Sequence, residues 1–203
     1  MYRVHGDGRS GNCYKVQLLM SHLGIDHEWV EVDILKGEAH GEAFLAKNPN
    51  GKIPLLELAP GRFLAESNAI LNYLAHGTRY LPEGRWERAN VLKWQFFEQY
   101  SHEPYIAVAR FIALYLGLPD ERRAEFESKQ QGGKRALGVM ELALAEPDYL
   151  VGASMTIADI SLYAYTHVAH EGGFDLEPFP AVRRWLHRVA SHPRHVSMSA
   201  SRA

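Results

Sequence analysis

Between Asn48 and Ala75, three features with chemical potential follow one another in a fixed order. Asn48-Pro49-Asn50-Gly51 makes a turn cluster that runs into Lys52-Ile53-Pro54. An apolar run follows, and Glu66-Ser67 then opens an amphipathic helix. A proline between a lysine-led turn and a strand is a candidate cis site, because only X-Pro bonds bring the cis form within about 0.5–1 kcal/mol of trans. A Glu-Ser pair at a helix start aims backbone N–H groups, a hydroxyl and the positive end of the helix dipole at any nearby carboxylate. Together these features imply a pocket for a small peptide-like ligand.

The elements that must position this pocket are legible around it. Residues 2–5 read as a short strand ending at the Gly6-Asp7-Gly8 turn. Ser10-Gly11-Asn12 then enters a helix whose apolar stripe is Val16, Leu18, Leu19, Met20 and Leu23, with Gly24 at the expected C-terminal cap. Residues 29–33 alternate like a second strand. Residues 43–46 read as a short helix, and residues 53–58 and 62–65 flank Ala59-Pro60-Gly61 as a hairpin. Residues 66–75 read as a helix with Ile70, Leu71 and Leu74 inward, so the first eighty residues spell β-α-β-α-β-β-α. Beyond Leu81-Pro82-Glu83-Gly84 the pattern turns helical. A long segment over 86–116 carries Pro104 as an expected kink, and a second helix covers 124–145. Thr156-Ile157-Ala158-Asp159 is a capping box leading a helix over 160–169, and Pro180 opens a last helix over 181–191. The expected domains are 1–80, α/β, and 86–203, all-α.

Composition narrows the function classes. A 46% hydrophobic and 23% charged chain is ordinary for a globular protein. A net charge of -2 makes no electrostatic case for nucleic acid or an anionic membrane. No apolar run approaches the ~20 residues that a membrane span needs, and the N-terminus lacks a signal peptide's apolar core. Cys13 is the single cysteine, which excludes an internal disulfide and points to a reducing, cytoplasmic compartment. The eleven histidines follow no metal-ligand spacing, so no metal is expected.

With its Ile-Pro ahead of the third strand and its all-helical second half, the chain resembles a cytosolic glutathione transferase of the bacterial theta, nu or beta type. The resemblance covers nearly the whole chain and rests on NPNGKIP, the ESNAILNYLA helix start and TIADIS. It implies a thioredoxin-like N-terminal domain. It also implies that Ile53, before a cis Pro54, pairs its backbone with the cysteinyl part of glutathione. Glu66 and Ser67 would hold the γ-glutamyl end, and Thr156 and Asp159 would nucleate a buried helix. Glutathione would serve as co-substrate, and the protein would be a homodimer. The fold alone does not choose the reaction.

That choice falls to Arg-Ser-Gly-Asn-Cys-Tyr-Lys-Val, residues 9–16. A free thiol has a pKa near ~8.5, so a site must lower it to supply thiolate at neutral pH. A hydroxyl and N–H groups at a helix N-terminus do so by hydrogen-bonding the anion. Ser10 lies where theta-like enzymes place a catalytic Ser or Thr. It also suits a helix N-cap, and one geometry serves both roles. Asn12 matches the asparagine of the nu-class T-P-N-x-x-K-V run, whose amide donates to the sulfur; it equally suits a turn. Beta-class enzymes use a cysteine near Cys13, where it can form a mixed disulfide with glutathione. Counted back from Gly24, that position falls nearer Asn12, and Cys13 reads first as a small buried hydrophobe. Tyr2 is too early for a tyrosine mechanism and Tyr14 faces elsewhere.

For the glycyl carboxylate, the motif offers Lys52 and His40, with Lys36 a weaker alternative; Arg9 would neutralise substrate or product, or be solvated. Theta-like enzymes carry their own His or Gln one position earlier, at Ala39 here. The second substrate, a small electrophile or disulfide, is expected between the domains, with Tyr105 and Arg110 near it. Trp94, Phe97 and Phe111 are expected in the core. The leading expectation is conjugation of glutathione to an electrophile in detoxification. Glutathione-dependent disulfide or peroxide reduction is the alternative, and a silent glutathione-binding protein the non-enzymatic one.

Overall fold

The computed structural model describes residues 1–198. The described chain divides into two compact units, Met1–Thr78 joined by residues 193–198, and Arg79–His192.

In the first unit, β1 (Tyr2–Gly6) is followed by α1 (Gly11–Leu23), β2 (His27–Glu31), α2 (Glu42–Leu45), β3 (Leu55–Ala59), β4 (Arg62–Ala65) and α3 (Ser67–Leu74). The sheet order is β2-β1-β3-β4. β1 runs parallel to β2 and antiparallel to β3, and β3 pairs antiparallel with β4. This is the expected βαβαββα order. A parallel β1–β2 pair requires a crossover between its strands, and α1 supplies it. β2 starts two residues before the sequence reading placed it, because the register with the five residues of β1 runs from Tyr2 opposite His27 to Gly6 opposite Glu31.

Helix α1 is covered on nearly all sides, so it buries Tyr14, Lys15 and His22 along with Val16, Leu18, Leu19 and Met20. Ser10 caps its start, accepting from the Cys13 N–H at 3.4 Å. Gly24 ends it in the left-handed region, φ 67°, bonding the Met20 and Ser21 carbonyls. A side chain there would meet the Cβ penalty that glycine avoids. Residues 194–196 lie along the same helix. Tyr14 OH donates to the Val196 carbonyl at 2.7 Å, and Ser21 Oγ donates to that of Arg194 at 2.8 Å. Expected in the helical domain, this segment instead completes the first unit.

In the second unit, α4 (Arg85–Phe97), α5 (Glu103–Arg110), α6 (Arg123–Ala143), α7 (Ile157–Thr166) and α8 (Pro180–Ala190) make up the all-helical half. Two wider π turns, Glu98–His102 and Phe111–Tyr115, flank α5. Pro104 lacks an N–H and crowds the preceding turn, and the backbone accommodates it as a π turn before α5. All ten residues of α7 are buried. The capping box forms as expected, and Asp159 does more. It also accepts from the Leu150 N–H at 2.9 Å and from Trp185 Nε1 at 3.0 Å, tying the loop and α8 to α7. Glu141 of α6 caps α8 from outside, accepting from Ala181 N–H at 2.9 Å and Val182 N–H at 3.0 Å.

Candidate functional site

The Ile53-Pro54 peptide bond is cis. The turn before it is closed by Asn48, whose buried side chain donates to the Lys52 carbonyl at 2.7 Å and accepts from the Asn50 N–H at 3.2 Å. β3 begins directly after Pro54.

On the far side of the β3–β4 hairpin, Glu66 stands at φ 68°, ψ 111°. A non-glycine residue there costs on the order of 1–3 kcal/mol, and such residues gather at ligand clamps. Ser67, the first residue of α3, is buried while Glu66 is exposed. The first turn of any helix leaves N–H groups without intrahelical acceptors, and the dipole adds positive potential there. Ser67 therefore sits where a carboxylate is well received.

The starts of α1 and α3 meet. Ser67 Oγ donates to Asn12 Oδ1 at 3.2 Å. Lys15 Nζ donates to Asn12 Oδ1 at 2.7 Å and lies 3.4 Å from Ser67 Oγ. Lys15 is 0% exposed, so this three-residue network is built into the interior behind the two helix starts. Ser10, half-buried, completes the α1 end of the site.

Cys13 takes no place on that surface. Its side chain is 0% exposed and packs against β1: a Cβ added to Gly6 would lie 2.7 Å from its Sγ. Burial pushes the thiol pKa up to about 12, against a lowering by the Ser10 hydroxyl. At neutral pH only on the order of 10⁻⁵ of such a group is thiolate. The glutathione contact expected of Cys13 is corrected: position 13 turns inward, as its reading as a small hydrophobe required.

Lys52 is exposed just before the cis bond, and the His40 ring lies over Gly51, so the two candidates for the glycyl carboxylate stand side by side. Gly51 holds φ 63°, and a Cβ there would come 2.7 Å from His40 Nδ1. Lys36 is instead paired with Asp33 at 3.0 Å, and Arg9 with Asp7 at 3.3 Å. Tyr14 faces elsewhere, as expected, toward Val196 and His195.

In the second unit, Tyr105 lines a cavity of about 290 Å³ with Phe97, Tyr100, Ser101, Arg135 and Val139. Arg110 does not line it. The residue is 3% exposed and its guanidinium is engaged by Glu171, so the role expected for it beside a second substrate finds no exposed charge. Trp94 is buried, while Phe97 and Phe111 are half-buried. Among the described residues no group of three or more His, Cys, Asp or Glu is placed to hold a metal ion, and no helix is long and apolar enough to cross a membrane.

Sequence reasoning assigned no role to Lys15. Its signal was present, because the lysine completes the N-x-x-K spacing that puts positions 12 and 15 on one helix face. Its link to Ser67, 52 residues away, has no local mark.

Residues 9–76 match the family model described as glutathione S-transferase, N-terminal domain, and residues 96–193 match glutathione S-transferase, C-terminal domain. The crystal structure of a glutathione S-transferase from Pseudomonas fluorescens Pf-5 is 62% identical at a TM-score of 0.95, over 97% of this chain and 98% of that one. The disulfide-bond oxidoreductase YfcG of Escherichia coli K12 is 29% identical over 189 residues, 90% of this chain and 87% of that protein. The glutathione transferase URE2P6 of Phanerochaete chrysosporium, solved in complex with oxidized glutathione, is 27% identical at a TM-score of 0.87, over 99% of this chain and 96% of its own.

Proposed function

The chain belongs to the glutathione S-transferase family, and from that premise we propose that it conjugates the glutathione thiolate to small electrophiles. The observation that carries this reading is the meeting of two helix starts, Ser67 of α3 bonded to Asn12 of α1 at 3.2 Å. One end suits a carboxylate and the other an anionic sulfur, as a short thiol peptide requires. Ser67 and Glu66 take the γ-glutamyl end. The backbone of Ile53 pairs with the cysteinyl residue, and Lys52 with His40 faces the glycyl carboxylate. Ser10 and Asn12 donate to the sulfur, lowering its pKa by stabilising the anion. The sulfur then forms a bond to an electrophilic carbon. The leaving group departs with its electron pair, and the thiol proton has already gone to solvent. Tyr105 contacts the second substrate from its cavity. In this reading the protein is a cytoplasmic homodimer acting in detoxification. The exposed Phe96, Tyr100 (86%) and Leu142 (81%) of the helical unit support a subunit contact.

A second reading, glutathione-dependent disulfide reduction, is favoured by two relatives, one named a disulfide-bond oxidoreductase and one solved with oxidized glutathione. Because Cys13 is buried, that chemistry would run on glutathione thiols alone. One thiolate attacks the disulfide and releases a thiol. A second glutathione then resolves the mixed disulfide and leaves oxidized glutathione.

Turnover of a chloronitrobenzene and of hydroxyethyl disulfide, each with reduced glutathione, tests both readings. Conjugation that collapses in Ser10→Ala supports the first. Fast disulfide reduction with electrophiles ignored replaces it with the second. Failure of the protein to stay on immobilised glutathione overturns both.

A further inference from the structure

We propose that Lys15 is a positioning residue for the thiol end of the site, holding the Asn12 carboxamide so that its N–H₂ end, not its oxygen, is presented to the sulfur. The inference rests on the glutathione reading above and deepens it. A carboxamide has one acceptor end and one donor end, and its orientation is set by the bonds it makes. Here the oxygen receives two donors from behind, Lys15 Nζ at 2.7 Å and Ser67 Oγ at 3.2 Å. A flipped amide would set its own N–H₂ against the Lys15 donors and lose that bond, whereas the Ser67 hydroxyl can accept as well as donate, so Lys15 decides the orientation. The nitrogen end is thus fixed on the other branch of a planar fork. A thiolate accepts hydrogen bonds and donates none, so this orientation is the productive one. Lys15 is fully buried, so its Nζ sits where a hydrogen bond is worth most and a lost partner costs most. The same Nζ lies 3.4 Å from Ser67 Oγ, so one side chain braces both ends of the ligand site.

The test compares wild type with Lys15→Met, Lys15→Arg, Asn12→Ala, Asn12→Asp and the Lys15→Met/Asn12→Ala double variant. Three quantities are read: thermal melting, kcat and KM for glutathione, and the pKa of bound glutathione from its ultraviolet thiolate absorbance. Lys15→Met should raise the bound thiol's pKa and lower kcat roughly tenfold, as for a lost hydrogen bond to a charged group. KM for glutathione should change less. In kcat and bound-thiol pKa the double variant should lose no more than Asn12→Ala alone, because at the thiol end Lys15 acts through Asn12. Lys15→Arg, which keeps the donor, should restore part of the loss. Asn12→Asp keeps the acceptor for Lys15 and Ser67 but has no donor end. It should therefore fold and lose thiolate, which keeps the test decisive if Lys15→Met does not fold. Losses in kcat and thiolate that multiply in the double variant overturn the proposal. So does an Asn12→Asp enzyme with wild-type thiolate, or an unchanged bound thiol in folded Lys15→Met. Thiolate in wild type beside an unaffected Lys15→Met overturns Lys15's role alone, whereas no thiolate in wild type overturns the glutathione reading with it.

Discussion

Cys13 is the one cysteine of the chain, so any thiol reagent reports on that position alone. Burial raises its pKa from 9.0 to about 12. That rise corresponds to ~4 kcal/mol favouring the protonated thiol in the folded state. The thiolate fraction at neutral pH is on the order of 10⁻⁵, against about 10⁻² for an exposed cysteine. Native protein should therefore react with an aromatic disulfide reagent at least ~1,000-fold more slowly than a model thiol. One equivalent should be released at once on denaturation. The folded pKa lies above the unfolded one, so the stabilisation is whole below pH 9 and is lost as pH rises toward 12. Across that window wild type should lose up to ~4 kcal/mol of unfolding free energy that Cys13→Ala does not lose. Denaturant titrations of both proteins at several pH values measure the difference. Rapid labelling of one equivalent in the native state would refute the reasoning. So would a Cys13→Ser protein that had lost most of its turnover, because either result would put the thiol at the surface of the site.

Ser10→Ala should lower turnover with a chloronitrobenzene by on the order of 10²-fold, the cost of one preorganised donor to a charged centre. Its melting should fall only by the ~1 kcal/mol of a lost N-cap, so steady-state kinetics and thermal melts together separate the two roles. Asp159→Ala leaves the Leu150 N–H, the Thr156 N–H and Trp185 Nε1 without their acceptor in the interior. It should cost ~3 kcal/mol or more by urea unfolding, and a loss below ~1 kcal/mol contradicts that network. A Cβ at Gly132 would overlap the Tyr105 ring. Gly132→Ala should therefore cost ~1–3 kcal/mol and raise KM for the electrophile while leaving that for glutathione unchanged.

The sequence showed most of what was locally determined. The βαβαββα order, the cis bond at Pro54, the Gly24 cap and the Thr156–Asp159 box each depend on residues within a few positions of one another, and each is present. What escaped it depends on partners far along the chain. The start of β2 is fixed by register with β1. The docking of residues 194–196 on α1 joins Tyr14 to Val196, 182 positions apart. Glu141 caps α8 from 40 residues away. Arg110 was expected beside the second substrate because helix spacing does not reveal its pairing with Glu171. Within the site, Ser10, Asn12 and Ser67 were legible from their motifs, but the bonds that unite Asn12 and Ser67 with Lys15 are a product of the fold.

A crystal structure with glutathione bound tests the central claim most directly. The account predicts the sulfur within hydrogen-bond reach of Ser10 Oγ and the amide nitrogen of Asn12. The γ-glutamyl carboxylate should lie at the first turn of α3 by Ser67, and the cysteinyl backbone against Ile53. A sulfur bonded to Cys13, or a ligand seated away from the starts of α1 and α3, would contradict it.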